Sequence, residues 1–260
     1  MKQNPPEKRD ELTESIRFLW LYRLMVPIMR AILSMVNATI RRLSPDPTFF
    51  EPADFPWTPE VEAAYPDIRR ECLEVIADLN KVPNLDELSE GSTKLAQGDE
   101  WKGFLLMAFG RPAPRNAARC PKTVAAMKQI PGINTVAFSV LGPRVHLPRH
   151  TGEFAGILRY HMGVVIPPGP DCRIGVDDEI RTWSEGGSMI FDDTHPHEVW
   201  NDTDQIRVVL LADFVRPGFW PIRMGIRLLI KLVSMTTYTS DVIRNAEEWK
   251  PREDRTEAAT

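Results

Sequence analysis

Cysteine is scarce in this chain, with Cys72, Cys120 and Cys172 the three in 260 residues. Their wide spacing makes no zinc motif and their odd number no disulfide framework, so a reducing compartment is the expectation. Excess positive charge is also missing. Thirty-two Lys and Arg stand against 36 Asp and Glu, a net of −4, which excludes a general nucleic-acid binder. There is no internal repeat and no low-complexity tract, which argues against a solenoid or a wholly disordered chain. What the chain does contain is an ordinary globular mixture, 43% apolar and 26% charged, with an unusual 23 prolines. So many prolines favour loops and turns over a long helical bundle.

The charge is unevenly spread. Residues 51–100 are strongly acidic, while both ends are basic and very apolar. Phe18–Ile40 is interrupted by Arg23, Pro27, Arg30 and Asn37. A spanning helix needs about 20 mainly apolar residues, and each central Arg costs roughly 2.5–3.5 kcal/mol, so spanning is not expected. Glu11 and Glu14 precede the segment and no small-residue cleavage site follows, unlike a signal peptide. Arg23 and Arg30, seven apart, share a helical face. Phe219–Tyr238 repeats the pattern, with Arg223, Arg227 and Lys231 at four-residue steps among Trp220, Ile222, Ile226, Leu229, Ile230 and Val233. Such cationic amphipathic helices either pack on the domain or a second subunit, or lie in a membrane surface. The expected organisation is a basic amphipathic helix within 1–50, a catalytic domain over 51–217 with its β core at 133–217, a second basic helix over 218–245, and a frayed polar tail over 246–260.

Residues 58–90 carry helical periodicity (Val61, Ala64, Ile68, Cys72, Val75, Ile76, Leu79), and Pro121–Gln129 suggests another short helix. From Asn134 the texture changes to short β runs: Thr135–Leu141, Gly156–Ile166, Arg173–Val176, Ile180–Trp183, Ser188–Phe191 and Ile206–Phe214. Asp177-Asp178 is a hairpin signal between two of them. Closely spaced short strands suggest a sandwich or barrel, of which a double-sheet jelly roll is one form. All five histidines, His146, His150, His161, His195 and His197, fall in this β region. That clustering raises a metal site above background, with His150, His161 and His197 favoured and His146 and His195 read as plain histidines. Alternation in Gly156–Ile166 puts Arg159 and His161 on one face and Leu158, Tyr160, Met162 and Val164 on the other, as in a barrel strand with a polar interior. Arg207, heading an otherwise apolar strand, is either a lone surface charge or an anchor for a carboxylate held by two parallel hydrogen bonds.

The stretch Phe138–Pro217 resembles the aspartyl/asparaginyl β-hydroxylase family of iron(II)- and 2-oxoglutarate-dependent dioxygenases. The resemblance rests on His150-Thr151-Gly152, the run Leu158–Pro167, Thr182–Gly186, Phe191-Asp192-Asp193, His197–Trp200, Arg207 and Asp213–Pro217. It extends more weakly upstream through Trp101 and Pro121-Lys122-Thr123. It implies a mainly β fold, a double-stranded β-helix (jelly roll, cupin-like) with flanking helices. His150 and His197 would be the iron(II) ligands, and Arg159 and Arg207, with Ser139 and His161 beside them, would bind 2-oxoglutarate. Turnover would consume O2, release succinate and carbon dioxide, and hydroxylate an unactivated C–H bond. The usual facial set adds a carboxylate to two histidines. Gly152 stands at that position here, as in the animal members, and leaves room for a water or a halide, while alternation turns Glu153 away.

For the substrate, the Phe154–His161 run looks like the bacterial members that hydroxylate lipid acyl chains, and the two basic helices agree with a membrane-surface enzyme on the cytoplasmic face. The alternatives are β-hydroxylation of Asp or Asn in a peptide, protein or small molecule, and a barrel that binds metal or dicarboxylate without turnover.

Overall fold

The computed structural model describes residues 31, 33–43, 47–85 and 100–249. The chain divides into two units, Met1–Pro45 and Asp46–Thr260. In the first, residues 33–43 are helical; Arg23, Pro27 and Arg30 lie outside the described residues. The second holds all the strands among the described residues.

Among the described residues eleven strands form two antiparallel sheets. They are β1 (Phe49–Phe50), β2 (Trp101–Ala108), β3 (Arg111–Pro112), β4 (Ile133–Leu141), β5 (Val145–His150), β6 (Ile157–Val165), β7 (Cys172–Val176), β8 (Glu179–Thr182), β9 (Ser188–Phe191), β10 (His197–Asn201) and β11 (Arg207–Val215). The larger sheet runs β1-β9-β6-β11-β4-β2-β3 and the smaller β5-β10-β7-β8. This is the double-stranded β-helix, flanked by helices α1 (Thr58–Ala63), α2 (Tyr65–Ile76), α3 (Pro114–Arg119), α4 (Pro121–Met127), α5 (Trp220–Ser234) and α6 (Thr237–Glu248).

The six strands expected from the β texture are present within one or two residues at each end. Asp177 takes a left-handed φ of 50° in the β7–β8 hairpin. Five strands are additional, and each has a physical reason for being quiet in the sequence. β2 is buried along almost its whole length and so shows no alternation. β5 contains Pro148, tolerated because β5 is the edge of its sheet. β10 opens on a histidine whose value is chemical rather than apolar, and β1 and β3 have two residues each. The β core therefore begins well before residue 133, since β1 pairs with β9 and β2 with β4. The helical stretch from 58 breaks at Ala64, after which Pro66 starts α2 inside its first turn.

Alternation on the larger sheet separates two cores. One face packs Tyr160, Met162, Leu210 and Phe214 against Phe55, Trp57, Ile68 and Cys72. The Trp57 ring lies 5.5 Å from Tyr160 and 5.4 Å from Phe214, both edge-on. The other face closes the barrel with Leu147, Ile174, Val199, Phe191 and Val209. Each fully buried Leu or Phe contributes about 1.5–3 kcal/mol.

Two helix starts are capped from a distance. Pro121 opens α4, and its next two backbone N–H groups, on Lys122 and Thr123, donate to the Glu71 carboxylate at 2.9 and 2.8 Å, with the Thr123 hydroxyl adding a third bond at 2.7 Å. At α3 the Arg115 N–H donates to Glu247 at 2.6 Å. Glu247 thus belongs to α6 rather than to a frayed tail, because the carboxylate satisfies a helix N-terminus that has no local cap. Replacing Glu71 by Ala is expected to destabilise the fold by about 2–3 kcal/mol, since it strands buried donors that held a charged acceptor. Chemical denaturation of the variant checks this, and a loss under about 0.5 kcal/mol would contradict it.

Candidate active site

β5 ends on His150 and β10 begins with His197, and the two residues are register partners across the smaller sheet. Their rings lie 4.1 Å apart between centroids. Each ring is aimed by the same device. His150 Nδ1 is 2.8 Å from the Pro148 carbonyl and His197 Nδ1 is 2.9 Å from the His195 carbonyl. A carbonyl only accepts, so each Nδ1 carries the hydrogen and each Nε2 keeps its lone pair. Burial lowers the pKa of His150, and burial with the neighbouring His150 ring pushes His197 down to about 3. Both are then neutral near pH 7, the form a metal ligand requires. Among the described residues no set of three His, Cys, Asp or Glu side chains converges on one point.

The space beside Gly152 is filled. The Gly152 N–H donates to the Asp193 carbonyl at 2.7 Å. A Cβ at 152 would collide with the Asp193 carboxylate. Asp193 Oδ2 is 3.0 Å from Arg159, whereas its Oδ1 is buried without a hydrogen-bond partner. Burial, opposed by Arg159, pushes the Asp193 carboxyl up to about 6. Glu153 is exposed.

Arg159 and Arg207 share a sheet face but not an environment. Arg159 is the register partner of Asp213, and its Nε donates to Asp213 Oδ1 at 2.9 Å while its NH2 group reaches Oδ2 at 3.3 Å. With Asp193 as well, two carboxylates occupy this guanidinium. Arg207 is only 2% exposed and has no carboxylate partner among the described residues. Its Nε makes no hydrogen bond, its nearest acceptor is the Ser139 carbonyl at 3.5 Å, and its guanidinium lies 5.0 Å from the Trp183 ring. Burial alone lowers its pKa to about 10. A buried cation costs several kcal/mol unless an anion meets it. The surrounding donors are in the same condition. Both ring nitrogens of His161 and the Trp183 Nε1 are buried without partners. Burial first, then Arg207, holds His161 well below its ordinary pKa.

Ring contacts link these two poles. Phe191 lies 5.8 Å from His197 and 5.1 Å from His161, which is 6.0 Å from Trp183. Ser139 is the register partner of Val209, two residues along β11 from Arg207, and its hydroxyl accepts from the Trp101 indole at 3.0 Å. The structure thus brings Ser139, His161 and Arg207 together and the two histidines together, and sets Arg159 with Asp193 and Asp213. His146 instead stacks on Trp200 and meets Glu198 at 2.9 Å, and His195 is bound to Asp177 at 2.6 Å. Asp193 and Trp183 were missed as site residues. Both lie inside the motifs quoted above, but nothing in the sequence says that residue 193 reaches residue 152.

A family model described as Aspartyl/Asparaginyl beta-hydroxylase matches residues 62–217. An ornithine lipid ester-linked acyl 2-hydroxylase of Rhizobium tropici is 38% identical over 208 residues, which are 80% of this chain and 74% of that protein. The aspartyl/asparaginyl beta-hydroxylase of Mus musculus is 33% identical over 49% of this chain but only 18% of its own length. The solved prolyl-4-hydroxylase of Pseudomonas putida aligns with 70% of this chain and 100% of its own, at 17% identity and a TM-score of 0.38. Barrel and family match together define an enzyme of the hydroxylase class. The chain belongs to the aspartyl/asparaginyl β-hydroxylase family.

Replacing Gly152 by Asp, which would complete a two-histidine, one-carboxylate set on an empty position, is expected here to weaken metal binding about tenfold or more, because the new side chain displaces Asp193. Titration with cobalt(II) at pH 7 checks this; tighter binding in the variant would show that Asp193 gives way freely.

Proposed function

We propose that the protein is an iron(II)- and 2-oxoglutarate-dependent dioxygenase that hydroxylates a membrane lipid acyl chain. The observation that carries the cosubstrate is Arg207, a buried forked cation with no acid of its own, across the barrel interior from the histidine pair. His150 and His197 would hold iron(II) through their free Nε2 atoms. Arg207 would take the far carboxylate of 2-oxoglutarate in two parallel hydrogen bonds, with His161, Trp183 and Ser139 as neighbours. Arg159, already engaged by two carboxylates, would act chiefly by fixing Asp193 against Gly152. Asp193 would then offer Oδ1 to a water beside the histidines. When bound, the metal and cosubstrate supply the oxidising chemistry, with O2 consumed, succinate and carbon dioxide released, and a hydroxyl placed on the substrate. The apolar lining of the barrel keeps bulk water from the reacting centre.

The lipid substrate is supported by the likeness over 80% of the chain to an acyl 2-hydroxylase. It is also supported by α5. That helix buries Ile226 but leaves Trp220, Met224, Leu228 and Leu232 exposed, with Phe219 and Met235 exposed at its two ends and Arg223, Arg227 and Lys231 along it. Among the described residues no helix is long and apolar enough to cross a membrane. A ridge of large apolar residues flanked by cations fits the headgroup boundary of an anionic bilayer.

Iron-dependent formation of succinate from 2-oxoglutarate tests the reading, together with mass spectrometry of lipids for added oxygen. Arg207→Lys should raise the KM for 2-oxoglutarate tenfold or more, because an ammonium cannot match the fork. An unchanged KM would count against the assignment, and binding of 2-oxoglutarate without succinate would favour the non-catalytic barrel. The full chain should sediment with anionic liposomes, and less so as salt rises. No sedimentation at low salt would return the substrate to a peptide or small molecule.

A further inference from the structure

β11 carries Arg207 at its start and ends at Val215, which pairs with Ile157 at the head of β6. The next residue, Arg216, therefore comes level with Gly156, and its backbone N–H donates to the Gly156 carbonyl at 3.0 Å. Its side chain is buried, and its guanidinium is shared between two loops. Nε donates to the Ala155 carbonyl at 2.6 Å, in the loop that leads from His150 into β6. Nη2 pairs with Asp192 Oδ2, at the start of the loop that leads from β9 to His197. Asp192 binds its own loop with its other oxygen, since Oδ1 accepts from the Thr194 N–H at 3.0 Å and from the Thr194 hydroxyl at 2.7 Å.

These contacts bracket the place where the two histidine loops meet. Asp192 adjoins Asp193, and Ala155 lies three residues after Gly152, whose N–H donates to the Asp193 carbonyl at 2.7 Å. One cation thus fastens both loops beside their junction. The task suits a guanidinium, which presents Nε and Nη2 in one rigid plane to a carbonyl and a carboxylate at once. Lys would offer a single charged atom on a flexible stem. Both members of the Arg216–Asp192 pair are buried, where salt screens their attraction least. Arg216 also stands four positions before α5. Ile226 of that helix and the Phe154 ring both crowd Gly156, where a Cβ would collide with the ring and meet Ile226 at 3.0 Å. The helix is therefore seated on the loop that follows His150.

We propose that Arg216 is a positioning residue of the active site, which holds the loop after His150 and the loop before His197 in the arrangement that sets Asp193 against Gly152. The proposal rests on the metal-dependent reading above and gives it a residue that acts through Asp192 and Ala155 rather than on the metal or cosubstrate. Loosening this clamp degrades the geometry around the histidine pair. It leaves the cosubstrate anchor intact, because Arg207 lies nine residues back along β11.

The test compares Arg216→Lys with Glu71→Ala, which loses stability at the α2–α4 contact on the outer sheet face. Both are made in the full chain, and circular dichroism and denaturation establish the fold and the stability lost. Cobalt(II) titration at pH 7 is followed by the visible ligand-field spectrum, which reports coordination geometry rather than stability. Arg216→Lys should bind cobalt(II) about tenfold more weakly and with an altered spectrum, as when an outer partner of a metal site is removed. Glu71→Ala should bind within about twofold of the unaltered chain, with an unchanged spectrum, because it is remote from the histidines. Turnover gives a second split. In Arg216→Lys, kcat should fall about tenfold while the KM for 2-oxoglutarate stays within about twofold, unlike Arg207→Lys. Should the Lys variant fail to fold, the double variant Arg216→Gln, Asp192→Asn removes both buried charges while keeping polar atoms, and the same losses are expected of it. Cobalt(II) affinity and spectrum in the Arg216 variants equal to those of the unaltered chain would overturn the assignment. Equal changes in Glu71→Ala would also overturn it, since the effect would then be one of stability alone. An unaltered chain that binds cobalt(II) but forms no succinate would sink the dioxygenase reading, while the cobalt(II) comparison still decides Arg216. Succinate formation with Arg216 variants that bind metal and turn over normally would do the reverse. An unaltered chain that binds no cobalt(II) would end both.

Discussion

The antiparallel pairing of β5 with β10 is the constraint on which the site depends. It makes His150 and His197 direct partners, although they lie 47 positions apart along the chain. In each case the carbonyl two residues upstream holds Nδ1, so the strand backbone itself selects the tautomer. Neutral rings with free Nε2 lone pairs follow from backbone geometry and burial, without an acidic partner for either ring among the described residues. A slip of one residue in this pairing would turn one histidine to the other face of the sheet.

A second theme is how the barrel treats its two inward arginines. Arg159 lies opposite Asp213 in register and touches Asp193, so its charge is spent inside the protein. Arg207 lies deeper, among Trp183, His161 and Ser139, and meets carbonyl and ring rather than carboxylate. The first arrangement is self-contained and holds a carboxylate against Gly152. The second leaves a buried cation without a carboxylate partner among the described residues.

The helices divide in a similar way. α1, α2 and α4 cover the outer sheet face, with Glu71 tying α2 to the start of α4, while α6 packs on Leu105 and Ala137 and lends Glu247 to α3. α5 is different. Its stripe of Arg223, Arg227 and Lys231 runs among large apolar residues, and within the helix only Ile226 and Ser234 are buried. It packs on β11 and α6, yet Trp220, Met224, Leu228 and Leu232 stay exposed.

Much of this was legible in the residues themselves. Alternation over Leu158–Val164 determined which side chains of β6 face inward, because a pleated strand has a period of two. The turn at Asp177 and the helix at Pro121 are local too, each decided by the backbone preferences of a few neighbours. The motifs around His150, Arg159, His197 and Arg207 placed the candidate residues in order along the chain. The tertiary structure alone decided what those residues do to one another. Gly152 reads as a missing ligand until β9's end brings Asp193 into its space, and Arg159 and Arg207 read alike until one meets two acids and the other none among the described residues. Glu71 and Glu247 read as solvated charges until they cap helices about 50 and 130 residues away. These are contacts across long stretches of chain. Local propensity and periodicity carry no record of them, because only closing the barrel sets which buried charge finds a partner.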